Sequence, residues 1–262
     1  MVKIRNQCQG DYFMMNVNVT YIGHSGFLLE WDRCCWLMDW SSGQIPRIDG
    51  NKMLVVFVSH SHGDHFNPDI FKIFGDRPNT WYVLSSDINI NERSKTRYGI
   101  TDEMHRNITI ARPDGEFALH VGDGEGDGEG ICISTLKSTD CGVAFLIRYN
   151  GYTVYHAGDL NLWMWPGESK QYNNDMKARF DREMLRLKGL TIDIAFAPLD
   201  PRQEEWYRLG MDALLETAEV KHVFPMHMWG KYDTIARYKK ASSGRYDSII
   251  MDVKYPGQSW SL

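Results

Sequence analysis

Within the run Ser59-His60-Ser61-His62-Gly63-Asp64-His65, three imidazoles and a carboxylate fall within six residues. Imidazole nitrogens and carboxylate oxygens are ligands for borderline-hard divalent ions. The run begins where an apolar, β-branched segment, MLVVFVS, ends, so it sits at a strand-to-loop junction. Alternation sends His60 and His62 to one side, and Asp64 and His65 turn toward an adjacent position, which favours two neighbouring ions over one. A solvated His-rich loop is the competing description. Spacing and placement at a strand end count against it.

The elements that must hold this loop follow from hydrophobic periodicity. Residues 17–30 (VNVTYIGHSGFLLE) and 34–39 (CCWLMD) read as a β-hairpin turned at EWDR, and MLVVFVS as a fully buried strand. A helix over 67–74 is predicted from Asn67 as cap and Pro68 in its first position. Further strands are expected at 81–84, 107–111, 116–121, 131–136, 143–148 and 152–157, with Asn150-Gly151 as a hairpin turn. Helices are predicted at 174–188 and 203–218, a buried strand at TIDIAFAPLD ending in Asp200, and a short strand at HVFPMH. The acidic, glycine-rich GDGEGDGEG at 122–130 is read as a turn between strands. It lacks the far-end Glu of an EF-type calcium loop.

The chain has 262 residues, 43% of them hydrophobic, which excludes a disordered chain and predicts one domain over 1–262. A net charge of −5 argues against a broad nucleic-acid surface, although Arg237, Lys239, Lys240 and Arg245 could build a local basic patch. No apolar run approaches the roughly 18 residues that cross a bilayer, and the opening MVKIRNQCQGDYF has no signal core, so a cytoplasmic protein is expected. Five cysteines at no disulfide-like spacing read as buried thiols.

His-x-His-x-Asp-His after a hydrophobic strand resembles the signature of the metallo-β-lactamase superfamily, and other segments match in order. YIGHSGFLLE and WLMDW resemble the opening hairpin of its stand-alone bacterial metal-dependent hydrolases, YHAGDLN their Gly-Asp motif, and FPMHMWG their final His motif. The resemblance spans residues 19–230. It implies an αββα sandwich of mixed α/β (α+β) class, with His60 and His62 on a first metal, Asp64, His65 and His227 on a second, and Asp159 bridging both. A bridging water would then lose much of its proton affinity and supply hydroxide near neutral pH, oriented by Asp64.

One departure matters. Where the family supplies a third His to the first metal, this chain reads Leu136-Lys137-Ser138-Thr139-Asp140-Cys141-Gly142. Asp140 is the expected replacement, with Ser138, water or Cys141 as weaker choices; an Asp hardens the site, so manganese or iron stand beside zinc, the first expectation. His24 and His156 are assigned catalytic, proton-transferring roles, with buried structural histidines as the alternative, and Asp39 is expected to orient a metal-bound imidazole. His105, His120 and His222 fit no cluster.

Trp163, Met164 and Trp165, with Met226, Met228 and Trp229, adjoin two expected ligands and are candidates to wall an apolar pocket. Arg202 is read as an ion pair with Asp200 or Glu204, or as an anion clamp. The function implied is hydrolysis of a small-molecule ester, lactone or phosphodiester by a hydroxide held between two metal ions. Two rivals share the scaffold: a di-iron oxidoreductase, which here lacks Cys-x-x-Cys pairs for an electron relay, and a non-catalytic metal-dependent binding protein. A nuclease would require strongly salt-dependent nucleic-acid binding.

Overall fold

The computed structural model describes residues 16–121 and 130–262. Alternating apolar side chains build two sheets that share one core. The first sheet contains β1 (Asn18–Gly23), β2 (Gly26–Glu30), β3 (Cys34–Met38), β4 (Met53–Val58), β5 (Thr80–Ser85) and β6 (Ile108–Ala111) in sequential order, and β13 (Ser259–Ser261) pairs with β1. The second contains β7 (Glu116–His120), β8 (Gly130–Lys137), β9 (Val143–Tyr149), β10 (Tyr152–His156), β11 (Thr191–Pro198) and β12 (Glu219–Met226), again in order. From β3 to β6 and from β10 to β12 the strands are parallel.

On the first sheet, the period of two sends Tyr21, Phe27, Leu29, Trp36, Val55 and Phe57 inward and Leu28, Cys35, Leu37, Leu54 and Val56 outward. Inward rings meet rings of the second sheet: Phe27 lies 4.4 Å from Phe196, and Phe57 5.4 Å from Phe145. Each fully buried Phe contributes about 1.5–3 kcal/mol of burial energy, so these contacts fix the sheets face to face. The short helices α1 (Ile70–Ile73), α2 (Glu92–Tyr98) and α3 (Asp102–Arg106) cover the outer face of the first sheet through Ile70, Phe71, Tyr98 and Met104, with Ile100 between the last two helices. Helices α4 (Lys170–Met184), α5 (Leu209–Thr217) and α6 (Asp233–Ala241) lie on the second through Met176, Phe180, Met211, Leu214 and Ile235. The result is the expected αββα sandwich, two sheets with helices on both outer faces.

Several expectations need correction. The strand expected over 17–30 is broken at Gly23-His24-Ser25-Gly26, a turn in which His24 adopts φ 49°, so His24 stands on a loop. The helix of 67–74 shrinks to one turn at Ile70, because the Asn67 side chain accepts from Asp69 N in a local turn and donates to Ser41 O. The helix predicted over 203–218 shortens to α5, preceded by 3₁₀ turns over Pro201–Trp206 that are themselves kinked at Glu204 (φ 55°, ψ −114°). Helices α2, α3 and α6 and strand β13 were not anticipated. Cys35 and Cys141 are free thiols, whereas Cys132 is disulfide-bonded, contrary to the expectation of thiols throughout. Cys8 and the glycine-rich run before Gly130 lie outside the described residues. Among the described residues no helix is long and apolar enough to cross a membrane.

Candidate metal centre

Parallel strands gather their carboxyl ends at one edge of the sandwich, and every predicted ligand lies in a loop there. His60, His62, Asp64 and His65 follow β4, Asp140 lies between β8 and β9, Asp159 follows β10, and His227 follows β12. The loops are locked to one another. Val143 N donates to Ser59 O (2.9 Å), joining β9 to the end of β4 across the sheets. At Gly142 (φ +69°) a β-carbon would collide with Ser59 O and the His60 side chain, so only glycine lets the 138–142 loop approach so closely. Thr139 Oγ1 donates to Asn161 O (2.6 Å) and accepts from Asn161 N (3.0 Å), tying that loop to the one bearing Asp159.

One buried carboxylate sets two imidazoles. Asp39, at φ 41° after β3, accepts from Ser59 N (2.7 Å), Ser59 Oγ (2.5 Å) and His65 Nδ1 (2.7 Å). With its proton committed to Asp39, Ser59 Oγ accepts from His60 Nδ1 (3.0 Å). His60 and His65 therefore both present an unprotonated Nε2 when neutral. On the other side, Asp200 accepts from His227 Nδ1 (2.9 Å), from Trp229 Nε1 (3.2 Å) and from the guanidinium of Arg202. Asp39 thus orients the His65 imidazole, and Arg202 pairs with Asp200.

The freed nitrogens converge. Nε2 of His60, His65 and His227 and Oδ1 of Asp159 are buried without a hydrogen-bond partner. Asp159 Oδ2 faces His60 Nε2 at 3.6 Å, while its Oδ1 faces His65 Nε2 at 3.2 Å and His227 Nε2 at 3.4 Å. Asp64 Oδ2 lies 3.7 Å from His227 Nε2, and Asp140 Oδ2 3.4 Å from His62 Nδ1. Tetrahedral ligands about 2.0–2.1 Å from a cation stand about 3.3–3.4 Å apart, and these separations bracket that spacing, so the residues fit a divalent ion. Three compact groupings result among the described residues: His60, His62, Asp140 and Asp159; His24, Asp64, His65 and His227; and, fully buried behind them, Asp39, His60 and His65.

Charge coupling follows the geometry. Burial alone would favour a neutral Asp159, but His65, His227 and His60 hold it far below the usual carboxylate range. Burial also opposes a charged His65, yet Asp159 and Asp39 raise it to about 10. Burial and the neighbouring His65 push His60 down to about 4. His24, 3.2 Å away, keeps Asp64 strongly acidic.

His24 and His156 part company. His24 Nε2 reaches Asp64 Oδ2 at 3.2 Å, and its ring packs on His227 and Trp229. His156 is fully buried, accepts from Gly158 N (3.1 Å) and faces Ser25 O with Nε2 (3.3 Å). Both its nitrogens serve backbone groups, so the proton-transfer role expected for His156 is replaced by a bridge between the sheets.

A cavity of about 500 Å³ opens over the cluster, lined by His62, Asp64, Asp140, Asp159 and His227 and by Trp163, Trp165, Trp229, Tyr172, Arg179 and Arg202. The expected tryptophans are present, but Met226 and Met228 are buried in the core. Tyr172 and Arg179, from α4, escaped the sequence reading because nothing local connects that helix to the cavity. Asp200 was legible only as the partner of Arg202.

A two-sheet sandwich with paired His/Asp clusters at the ends of its parallel strands defines a class of metal-binding proteins. The Beta-lactamase superfamily domain matches residues 18–227, and the chain belongs to the metallo-β-lactamase superfamily. It is 26% identical to a UPF0173 metal-dependent hydrolase of Methanosarcina barkeri over 95% of this chain and 100% of that protein. Its fold matches Igni18, a metallo hydrolase from Ignicoccus hospitalis (TM-score 0.60, 19% identity, 94% and 98% of the two chains). It also matches CmlA, a diiron β-hydroxylase from Streptomyces venezuelae (TM-score 0.53, 12% identity, 94% and 54%).

Proposed function

We propose that this protein is a metal-dependent hydrolase holding two divalent ions, zinc first, and cleaving a small-molecule ester, lactone or phosphodiester in the cytoplasm. The observation carrying this reading is the convergence of three buried, partnerless imidazole nitrogens on both oxygens of Asp159. His60, His62, Asp140 and Asp159 would hold one ion, and Asp64, His65, His227 and Asp159 the other, with His24 beside it. Ions bound there supply a Lewis acid and an activated water.

The chain's own groups do the rest. Asp39 and Asp200 fix the imidazole tautomers. Asp64, partly exposed and 3.2 Å from His24, is placed to orient a water on the cavity side, and His24 to pass a proton to the leaving group. Membership of the superfamily and relatives named metal-dependent hydrolases support this reading.

The test is elemental analysis of protein purified without added metal, with turnover of p-nitrophenyl phosphodiester and lactone substrates. About two ions per chain with hydrolysis, both lost in Asp159→Ala, is the expected result. No turnover after reconstitution with zinc, manganese or iron overturns it. The carboxylate-rich first grouping carries the second reading, a di-iron oxidoreductase. Iron retained in preference to zinc, with oxygen consumption and no hydrolysis, would favour it.

A further inference from the structure

The cavity wall beside the clusters has a composition that hydrolysis alone does not require. Trp163 and Trp165 lie parallel, 5.6 Å apart with 2° between their planes, and Trp163 is fixed by donating to Asp159 O (2.9 Å). Arg202 lies 4.2 Å over Trp229 and 5.7 Å from Trp165, clamped from behind by Asp200. Its charge is spent on that carboxylate. Arg179 differs: its Nη1 donates to the Thr139 carbonyl (2.9 Å), and among the described residues no carboxylate lies within ion-pair distance of it.

Resting on the reading of a two-metal centre, the charges leave Arg179 over. Asp64, Asp140 and Asp159 face the imidazole cluster, and Arg202 is paired with Asp200. Arg179 is then an unpaired guanidinium on the wall of a cavity whose size suits a small molecule. A guanidinium with free N–H groups recognises carboxylate or phosphate oxygens, and indole faces recognise flat apolar groups.

We infer that the substrate is a small anionic molecule with a flat apolar part, its carboxylate or phosphate held by Arg179 and its plane against Trp165, while its scissile bond faces the metal centre. Arg179 sets specificity and touches no reacting atom.

The experiment measures binding by calorimetry on zinc-loaded protein, using naphthalene-2-acetate and its neutral amide as probes. Wild type should prefer the carboxylate by about tenfold, equivalent to about 1.4 kcal/mol. Arg179→Gln should abolish that preference and Arg179→Lys should keep part of it. Trp165→Ala should weaken both probes alike and leave their ratio intact. The Lys variant guards against disturbance of the Thr139 carbonyl in the Gln variant.

A preference that survives in both Arg179 variants would mean that the ions alone hold the anion, and the inference falls. Absence of any preference in wild type overturns it equally. Metal content is measured in the same samples: protein that takes up no metal refutes the two-metal reading, whereas the dependence of the ratio on Arg179 decides the anion site in either state.

Discussion

Asp39→Asn isolates the part of the site that never touches an ion. In the native protein the Asp39 carboxylate accepts from Ser59 N, Ser59 Oγ and His65 Nδ1. An asparagine oxygen can keep the Ser59 N–H, and the Ser59 hydroxyl can rotate to accept. The new amide NH₂ then faces His65 Nδ1, which must give up its proton to accept. That places a hydrogen on His65 Nε2, the nitrogen aimed at Asp159 3.2 Å away, and closes it to a cation. A hydrogen bond to a charged group contributes about 1.5–3 kcal/mol. At about 1.4 kcal/mol per decade, zinc affinity should fall by about 10- to 100-fold. Competition against a chromophoric chelator at neutral pH reads this directly, with circular dichroism confirming the fold. Affinity within about threefold of wild type, in folded Asp39→Asn, would refute the claim that Asp39 sets the tautomer of His65.

Other outcomes follow from the same geometry. Asp140→Ala should lose about one ion per chain while the other grouping stays filled; metal analysis showing full occupancy would remove Asp140 from the ligand set. His65, held up to about 10 in the protein without an ion, must shed its proton on binding one. Calorimetry in buffers of different ionisation enthalpy should therefore show proton release, and affinity should fall as pH falls. Asp200 is held down to about 2 by His227 and Arg202 despite its burial, below the ordinary value of about 3.9. Its stabilisation is present above about pH 4 and lost as pH falls toward 2, so the stability gap between wild type and Asp200→Asn should narrow over that range in urea titrations. Gly142→Ala adds left-handed strain of about 1–2 kcal/mol and overpacking of about 1–3 kcal/mol against Ser59 and His60. A loss under about 1 kcal/mol in denaturant would contradict the contact.

Legibility tracked the range of the interactions. The strand ending in His60 and the six residues after it carry both periodicity and ligand spacing in one segment, so strand, loop and metal chemistry could be read together. Asp140 was named from a departure in a single loop, and the structure sets it 3.4 Å from His62. His156 misled because its neighbours along the chain, Gly158 and Asp159, belong to the site, whereas its ring is consumed by Ser25 and Gly158. His24 was read as strand because apolar residues flank it, and two glycines override that pattern with a turn. Arg179 left no trace, since its relevance depends on where α4 crosses the cavity, a product of packing between residues far apart in sequence.

The Ser59–Val143 hydrogen bond has a partner in the ligand sets. Each of the two ligand sets draws on loops of both sheets: His60 and His62 meet Asp140 and Asp159, and Asp64 and His65 meet His227. An ion held there is a rivet through two plates. Its binding energy is shared with the closure of the sandwich edge, so a chelator should act as a loosening agent. Amide exchange should then quicken in step at the ends of β4 and β12, on opposite plates, while the aromatic layer around Phe27 and Phe196 stays protected.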